Sequence, residues 1–130
     1  MNIFYDENMP FAAEFFADLG VLTAFSGRAL SATDVCDADV LLVRSITKVN
    51  EALLQKNKTL SFVGTATIGV DHIDQPYLTH RSVNFQSAPG CNAVSVAEYV
   101  LSAMVVLAER YLLSIADLTV GIVGARNNGS

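Results

Sequence analysis

Five short apolar runs in the first 85 residues place the tightest limit on how this chain can fold. They cover residues 2–5, 21–25, 40–43, 60–64 and 82–85. Helix-like segments separate several of them. Short strands that alternate with helices predict a parallel sheet. The run at 40–43 is continuously apolar, as expected of a strand covered on both faces. We therefore predict an α/β fold, namely a flavodoxin-like parallel sheet with helices on both faces.

Capping residues mark where the connecting helices should begin. Asn, Ser and Asp side chains accept hydrogen bonds from the free N–H groups of a first helical turn. Residues 31–34 also have the spacing of a capping box. The predicted helices start from Asn8 and end near Leu19, start from Ser31 and Asp34, run from Asn50 through Lys56, and run from Asp74 to Thr79.

The pattern changes after residue 91. Residues 92–113 predict one long helix that is apolar on nearly every face. Such a helix is normally surrounded by other parts of a protein. Residues 118–123 then predict a buried strand that leads into Gly124 and Gly129, the first and third glycines of a dinucleotide fingerprint. Arg126 occupies the second position, where a side chain would meet the pyrophosphate. An ordinary strand with a Gly/Asn-rich tail is the alternative.

Composition excludes several classes of protein. A net charge of −5 provides no basic face for nucleic acid. No apolar run is long enough for a membrane span. The two cysteines, Cys36 and Cys91, form no disulfide framework, which favours a cytoplasmic location. We expect Cys36 to lie in a helix and pack in the core.

The candidate site lies where two predicted strands end. Arg44 and Ser45 follow one strand, and the loop with Thr65, Thr67 and Gly69 follows the next. In open α/β sheets, ligands bind at the carboxyl ends of the strands. A guanidinium and hydroxyls there can hold an anionic oxygen. Two alternatives remain open: the threonines serve the turn alone, or Arg44 pairs with Asp6, Glu7 or Asp71. His72 and His80 lack metal-ligand spacing, so no metal site is predicted.

Several motifs together resemble the D-isomer-specific 2-hydroxyacid dehydrogenases. The run at 43–50 and the corner at 89–92 resemble a branch of that family that acts on 4-phospho-D-erythronate. The matching segments are residues 6–10 (DENMP), 43–50 (VRSITKVN), 62–67 (FVGTAT), 69–72 (GVDH), 88–93 (APGCNA) and 96–99 (VAEY).

The resemblance implies a two-domain enzyme that passes hydride from C2 of 4-phospho-D-erythronate to NAD, on the route to pyridoxal phosphate. It implies that Ser45 and Thr67 contact this small phosphorylated 2-hydroxy acid, and that the backbone near Gly69 approaches its carboxylate. Residues 1–91 would form the substrate domain and 92–113 an inter-domain helix. Residues 114–130 would be the truncated start of a Rossmann domain. We also expect a homodimer, because the long helix is apolar nearly all round.

Two departures from the family pattern shape these expectations. The family's catalytic arginine, glutamate and histidine correspond to positions beyond residue 130, and Arg126 replaces a glycine. We therefore expect an inactive amino-terminal fragment with no catalytic or cofactor-binding residue and an incomplete NAD site. One alternative is part of another dehydrogenase of the family, such as one acting on phosphoglycerate. Another is a stand-alone binding module, such as a receiver-like domain. A receiver-like domain would have an aspartate after the third strand, where this chain has Arg44 and Ser45.

Overall fold

The computed structural model describes residues 1–122. Residues 1–88 hold a single sheet in the order β2-β1-β3-β4-β5, and every neighbouring pair of strands is parallel. The sheet confirms the predicted α/β class and the flavodoxin-like strand order. The strands are β1 (Asn2–Asp6), β2 (Val21–Phe25), β3 (Val40–Val43), β4 (Phe62–Thr65) and β5 (Asn84–Gln86).

The described residues separate into two compact units, Met1–Ala88 and a second that begins at Pro89. The first unit contains the sheet and three short helices. The second contains one long helix and a 3₁₀ turn at Ile115–Asp117. The α-helices are α1 (Ala12–Phe16, continued by a 3₁₀ turn at Ala17–Leu19), α2 (Glu51–Leu54), α3 (Gln75–His80) and α4 (Ala93–Tyr111).

The core of the first unit surrounds strand β3. Leu41, Leu42 and Val43 are consecutive in sequence and all buried. Successive residues of a strand point to opposite faces, so both faces of the sheet are covered here. Leu41 and Val43 belong to one cluster with Val35, Leu54 and other apolar side chains. The continuous apolar run at 40–43 thus predicted its central position correctly.

Two of the predicted helix caps are confirmed. The side chain of Asn50 accepts a hydrogen bond from the N–H of Leu53 at 3.1 Å, and Asp74 accepts one from Tyr77 at 3.0 Å. Each satisfies an N–H that has no partner inside the helix. The predicted length of α2 was too long, because the helix ends at Leu54.

The predicted cap at Asn8 was wrong. The N–H of Asn8 donates to Asp6 Oδ1 at 2.9 Å, so Asn8 belongs to the turn after β1. Helix α1 begins after Phe11, which adopts the left-handed conformation with φ 62° and provides no side-chain cap. The turn chemistry of Asp6 therefore delays the helix beyond the position that the sequence suggests.

The segment from Ser31 also departs from its prediction, since it forms turns and no helix. Asp34 accepts hydrogen bonds from the hydroxyl and the N–H of Ser31, and these lower the pKa of the Asp34 carboxyl. The carbonyls of Val35 and Ala38 accept hydrogen bonds from the side chain of Asn57, at 2.6 and 2.8 Å. These contacts hold the segment as turns.

Cys36 lies in the same turns and is exposed, so its predicted core position was wrong.

In the second unit, α4 ends at Tyr111, two residues before the predicted end. Leu112 follows in the left-handed conformation and closes the helix. No strand forms over residues 118–122, and Leu118, Val120 and Ile122 are exposed. The predicted strand was wrong there, because the described residues of this unit hold no other strand to pair with.

The end of the predicted strand and the candidate dinucleotide fingerprint lie outside the described residues. They comprise Val123, Gly124, Arg126 and Gly129. Among the described helices, none is long and apolar enough to cross a membrane.

Candidate functional site

The site is built at the carboxyl ends of β3 and β4, which are neighbours in the sheet. Val43 lies beside Thr65 in the strand register. The N–H of Ala66 donates to the carbonyl of Val43 at 3.0 Å and extends the pairing by one residue. Because the strands are parallel, Ser45 and Thr67 leave the sheet at the same edge.

Residues 45–50, which we call the 45–50 segment, are held on two sides. The buried hydroxyl of Thr47 donates to the carbonyl of Gly27 at 3.2 Å. The N–H of Val49 donates to the carbonyl of His72 at 2.8 Å, and the carbonyl of Val49 accepts from Asp74 at 2.9 Å. Thr47 and Val49 are both buried, whereas Ser45, Ile46 and Lys48 are exposed. The segment therefore presents its exposed side chains from a fixed backbone.

Ser45 and Thr67 line one cavity of about 480 Å³. We call it the Ser45–Thr67 cavity. The structure thus brings the two predicted substrate-binding residues together, although their role stays a prediction. Gly69 lines the same cavity, and the predicted approach of its backbone to a substrate carboxylate stays a prediction. The remaining lining residues are Ile46, Lys48, Asp71 and His72.

A chain of hydrogen bonds runs along the wall of this cavity. The Thr67 hydroxyl donates to the carbonyl of Gly69 at 3.0 Å. Its oxygen lies 2.8 Å from Thr65 Oγ1, which in turn lies 3.0 Å from His72 Nε2. Thr67 has a single proton, and it is committed to Gly69. Thr65 must therefore donate to Thr67, and His72 Nε2–H must donate to Thr65.

Partial burial sets the protonation of His72. Loss of solvent lowers the pKa of the imidazole below its ordinary value of 6.5, and the nearby Asp71 carboxylate opposes that shift. The neutral ring is favoured as a result. The hydrogen-bond chain specifies the tautomer with its proton on Nε2, so His72 is a satisfied histidine, as the sequence indicated.

Arg44 points toward β1. Its Nη1 lies 3.9 Å from Asp6 Oδ1, so Asp6 is the partner among the three that the sequence left open. Asp6 is fully buried, and within residues 1–122 its Oδ2 has no hydrogen-bond partner. A hypothetical Cβ on Gly27 would lie 2.5 Å from this oxygen. The glycine is therefore what leaves room for the carboxylate.

Sequence reasoning missed Lys48 as a lining residue. Its only signal was position, three residues after Ser45 in the same predicted loop. Sequence reasoning also missed the hydrogen bond between His72 and Thr65. These side chains meet only because the loop after β4 folds back toward the strand.

The glycine fingerprint that the sequence suggested for NAD lies mostly outside the described residues. Gly121, the glycine that precedes Gly124 in the candidate fingerprint, belongs to no strand, and a Cβ there would meet nothing within 4 Å. Among residues 1–122, no group of three or more His, Cys, Asp or Glu side chains is placed to hold a metal ion.

Comparison with known sequences adds two independent relatives. Erythronate-4-phosphate dehydrogenase of Colwellia psychrerythraea is 63% identical over all of this chain and 36% of its own length. The enzyme of the same name from Psychromonas ingrahamii is 60% identical over all of this chain and 34% of its own length. The chain therefore spans about a third of the length of these relatives and matches their amino-terminal part.

Solved structures support the same fold. The D-lactate dehydrogenase of Aquifex aeolicus, complexed with NAD and lactic acid, superposes with a TM-score of 0.66. It is 26% identical over 85% of this chain and 34% of that one. The apo D-lactate dehydrogenase of Escherichia coli has a TM-score of 0.72 at 14% identity, over 99% of this chain and 50% of that one. This second likeness concerns the fold alone.

The family assignment follows from the extent of the match. Residues 3–126 match the D-isomer specific 2-hydroxyacid dehydrogenase catalytic domain. That range includes the sheet from Ile3 onward and every residue of the Ser45–Thr67 cavity. The chain belongs to the D-isomer specific 2-hydroxyacid dehydrogenase family.

Proposed function

We propose that this chain forms the substrate-binding part of an erythronate-4-phosphate dehydrogenase. The whole enzyme would oxidise the C2 hydroxyl of 4-phospho-D-erythronate, with NAD as hydride acceptor, in pyridoxal phosphate biosynthesis. The observation that carries the proposal is the shared cavity of Ser45 and Thr67 at the ends of β3 and β4. Relatives with that enzyme name, at 53–63% identity, support the choice of substrate.

The residues present would bind and orient the acid. The Ser45 hydroxyl can donate to a carboxylate oxygen, and the Thr67 hydroxyl can do so after turning from Gly69. Lys48 adds a positive charge to the same wall. Hydrogen bonds to a charged group contribute about 1.5–3 kcal/mol each. We assign these residues to substrate binding and no hydride step to them.

The proposed domain organisation keeps residues 1–91 as the substrate domain, 92–113 as the inter-domain helix and 114–130 as the start of a NAD-binding domain. Two free cysteines support a reducing, cytoplasmic location for the enzyme.

We further propose that the chain forms a homodimer through α4. Tyr99, Val106 and Leu107 on that helix are 75%, 61% and 50% exposed, and Met104 is half-buried beside them. Within residues 89–122 the only other element is the short 3₁₀ turn. Soluble monomers rarely expose apolar patches beyond a few hundred Å². A second copy of the helix would cover these side chains.

Calorimetric titration of the chain with 4-phospho-D-erythronate tests the substrate proposal. Saturable binding that Ser45→Ala and Thr67→Val each weaken would support it. Equal binding of 3-phospho-D-glycerate would argue for another enzyme of the family. Absence of binding by either acid would contradict the proposed site.

A further inference from the structure

A second cavity adjoins the Ser45–Thr67 cavity. It measures about 390 Å³ and is lined in part by Gly27, Arg28, Thr47 and Lys48. We call it the Arg28–Lys48 cavity. Lys48 lines both cavities, and so does Ile46. The two cavities therefore lie on either side of these shared residues of the 45–50 segment, inside the same compact unit.

The charge of the second cavity is one-sided. Arg28 and Lys48 are its only charged lining residues, and both are cations. Across the described residues the one ion pair joins Arg44 to Asp6, so neither cation is neutralised by a carboxylate. This is unusual on a chain whose net charge is −5. By contrast, the lining of the Ser45–Thr67 cavity includes the carboxylate of Asp71 as well as Lys48.

Hydrogen bonding holds the two cations on the same wall. The Thr47 hydroxyl donates to the carbonyl of Gly27 at 3.2 Å, and this bond is buried. Arg28 follows Gly27, and Lys48 follows Thr47, so each cation is one residue from the bond. A Cβ on Gly27 would lie 2.6 Å from Thr47 Oγ1. The glycine is therefore required for the two segments to approach so closely.

We propose that the Arg28–Lys48 cavity binds the phosphate of the substrate, while its hydroxy-acid end lies against Ser45 and Thr67. This inference rests on the proposed function and adds the residues that recognise the phosphate. A phosphate monoester carries a charge of about −1.5 to −2 at neutral pH. A guanidinium matches its oxygens in a forked geometry, and an ammonium adds a compact charge. The cavity without a carboxylate is the one that suits this group.

The shared position of Lys48 explains how one ligand can occupy both cavities. A four-carbon acid with its phosphate at the far end would pass along Ile46 and Lys48. Its carboxylate and C2 hydroxyl would then remain at the end of β4. The phosphate would escape the repulsion of Asp71, which it would meet in the Ser45–Thr67 cavity.

The test compares 4-phospho-D-erythronate with D-erythronate on the same chain, by calorimetry or by NMR titration. Wild type is expected to bind the phosphorylated acid more tightly. Arg28→Gln and Lys48→Gln should each lower the affinity ratio of the two acids about 10- to 100-fold, because each removes a bond to a charged group. Lys58→Gln is the matched control, since Lys58 is exposed and lines neither cavity.

Backbone NMR shifts separate this inference from the proposed function. With 4-phospho-D-erythronate, we expect shifts at Arg28, Lys48, Ser45 and Thr67 together. Shifts at Ser45 and Thr67 without Arg28 would overturn the phosphate site and leave the substrate site standing. Shifts at Arg28 and Lys48 alone would support the phosphate site and count against the proposed function. No shift at any of the four would overturn both.

Discussion

Thr67 donates its only hydroxyl proton to the carbonyl oxygen of Gly69, at 3.0 Å. A carboxylate that enters the cavity must compete with Gly69 for that proton. Thr65 can continue to donate to the Thr67 oxygen while the proton changes partner, because the two hydroxyl oxygens are 2.8 Å apart. Thr67 can therefore exchange an internal bond for a bond to substrate without losing its place in the loop.

Because of this exchange, substrate affinity should depend on the hydroxyl of Thr67 rather than on the size of its side chain. We expect Thr67→Val and Ser45→Ala each to weaken 4-phospho-D-erythronate binding about 10- to 100-fold, the effect of one hydrogen bond to a charged group. Thr67→Ser should restore most of the affinity. Thr79→Val serves as control, because its hydroxyl donates to Gln75 on α3. Calorimetry measures each variant, and unchanged affinity in both site variants would refute the assignment.

Stability should depend on pH through His72. Burial lowers the pKa of this imidazole below 6.5. As pH falls through 6.5, the unfolded chain takes up the proton before the folded chain does, so the free energy of unfolding decreases. The contribution is complete above pH 6.5 and is lost on acidification.

His72→Gln removes that titration. Denaturant unfolding at pH 7.5 and pH 5.5 should show a larger stability loss for wild type than for His72→Gln. Equal losses in the two proteins would show that His72 does not titrate differently in the folded state.

Two glycines offer a matched pair for packing. Gly27→Ala should destabilise the fold by about 1–3 kcal/mol, because its Cβ would lie 2.5 Å from Asp6 Oδ2 and force a buried carboxylate to move. Gly69→Ala places a Cβ where nothing lies within 4 Å. Its stability should stay within about 0.5 kcal/mol of wild type. Chemical denaturation measures both, and equal midpoints would contradict the close contact at Gly27.

Asn57 is the buried polar side chain on which the turns before β3 depend. It donates to Val35 and Ala38 and accepts from Leu60 at 2.8 Å. Asn57→Ala leaves several buried groups without partners, so we expect a loss of about 3 kcal/mol or more. Asn92→Ala should change stability little, since Asn92 makes no side-chain cap bond. Thermal unfolding compares them, and a mild effect at Asn57 would count against this network.

Self-association tests the proposed role of α4. Light scattering at increasing concentration should give a dimer or larger species near about 100 μM. Val106→Glu should shift the chain toward monomer, because it introduces a charge into the apolar contact. Phe15→Glu is the control, since Phe15 is 78% exposed on α1 in the other unit. A monomer at every concentration would refute the proposed contact.

The strands were predictable from sequence because each depends on a local apolar run. The caps at Asn50 and Asp74 were predictable for the same reason, since a cap bonds to an N–H three residues away. The Ser31–Asp34 pair shows the limit of that reasoning. Its local bonds form as the spacing suggests, yet Asn57, more than 20 residues later, occupies the carbonyls that a helix would need.

The candidate site was predictable only in part. Strand ends identified Ser45 and Thr67, because neighbouring parallel strands finish at one edge. The link from His72 to Thr65 depends on how a seven-residue loop returns to its strand. The approach of Arg28 to Lys48 depends on a bond between loops 20 residues apart. Neither of these two contacts produces a periodic or compositional pattern in the sequence.

The position of β1 between β2 and β3 has a consequence for synthesis of the chain. The first strand of this sheet to be translated is an interior strand, and one of its two neighbours is complete only when residue 43 has been added. Strand β4 is complete only after a further 22 residues have been translated, and the edge of the sheet near Thr67 cannot form before then. Parallel pairing across such separations is slow, because chain entropy is lost before the contacts form. The nascent chain therefore exposes its first apolar strand for longer than any other part of the sheet.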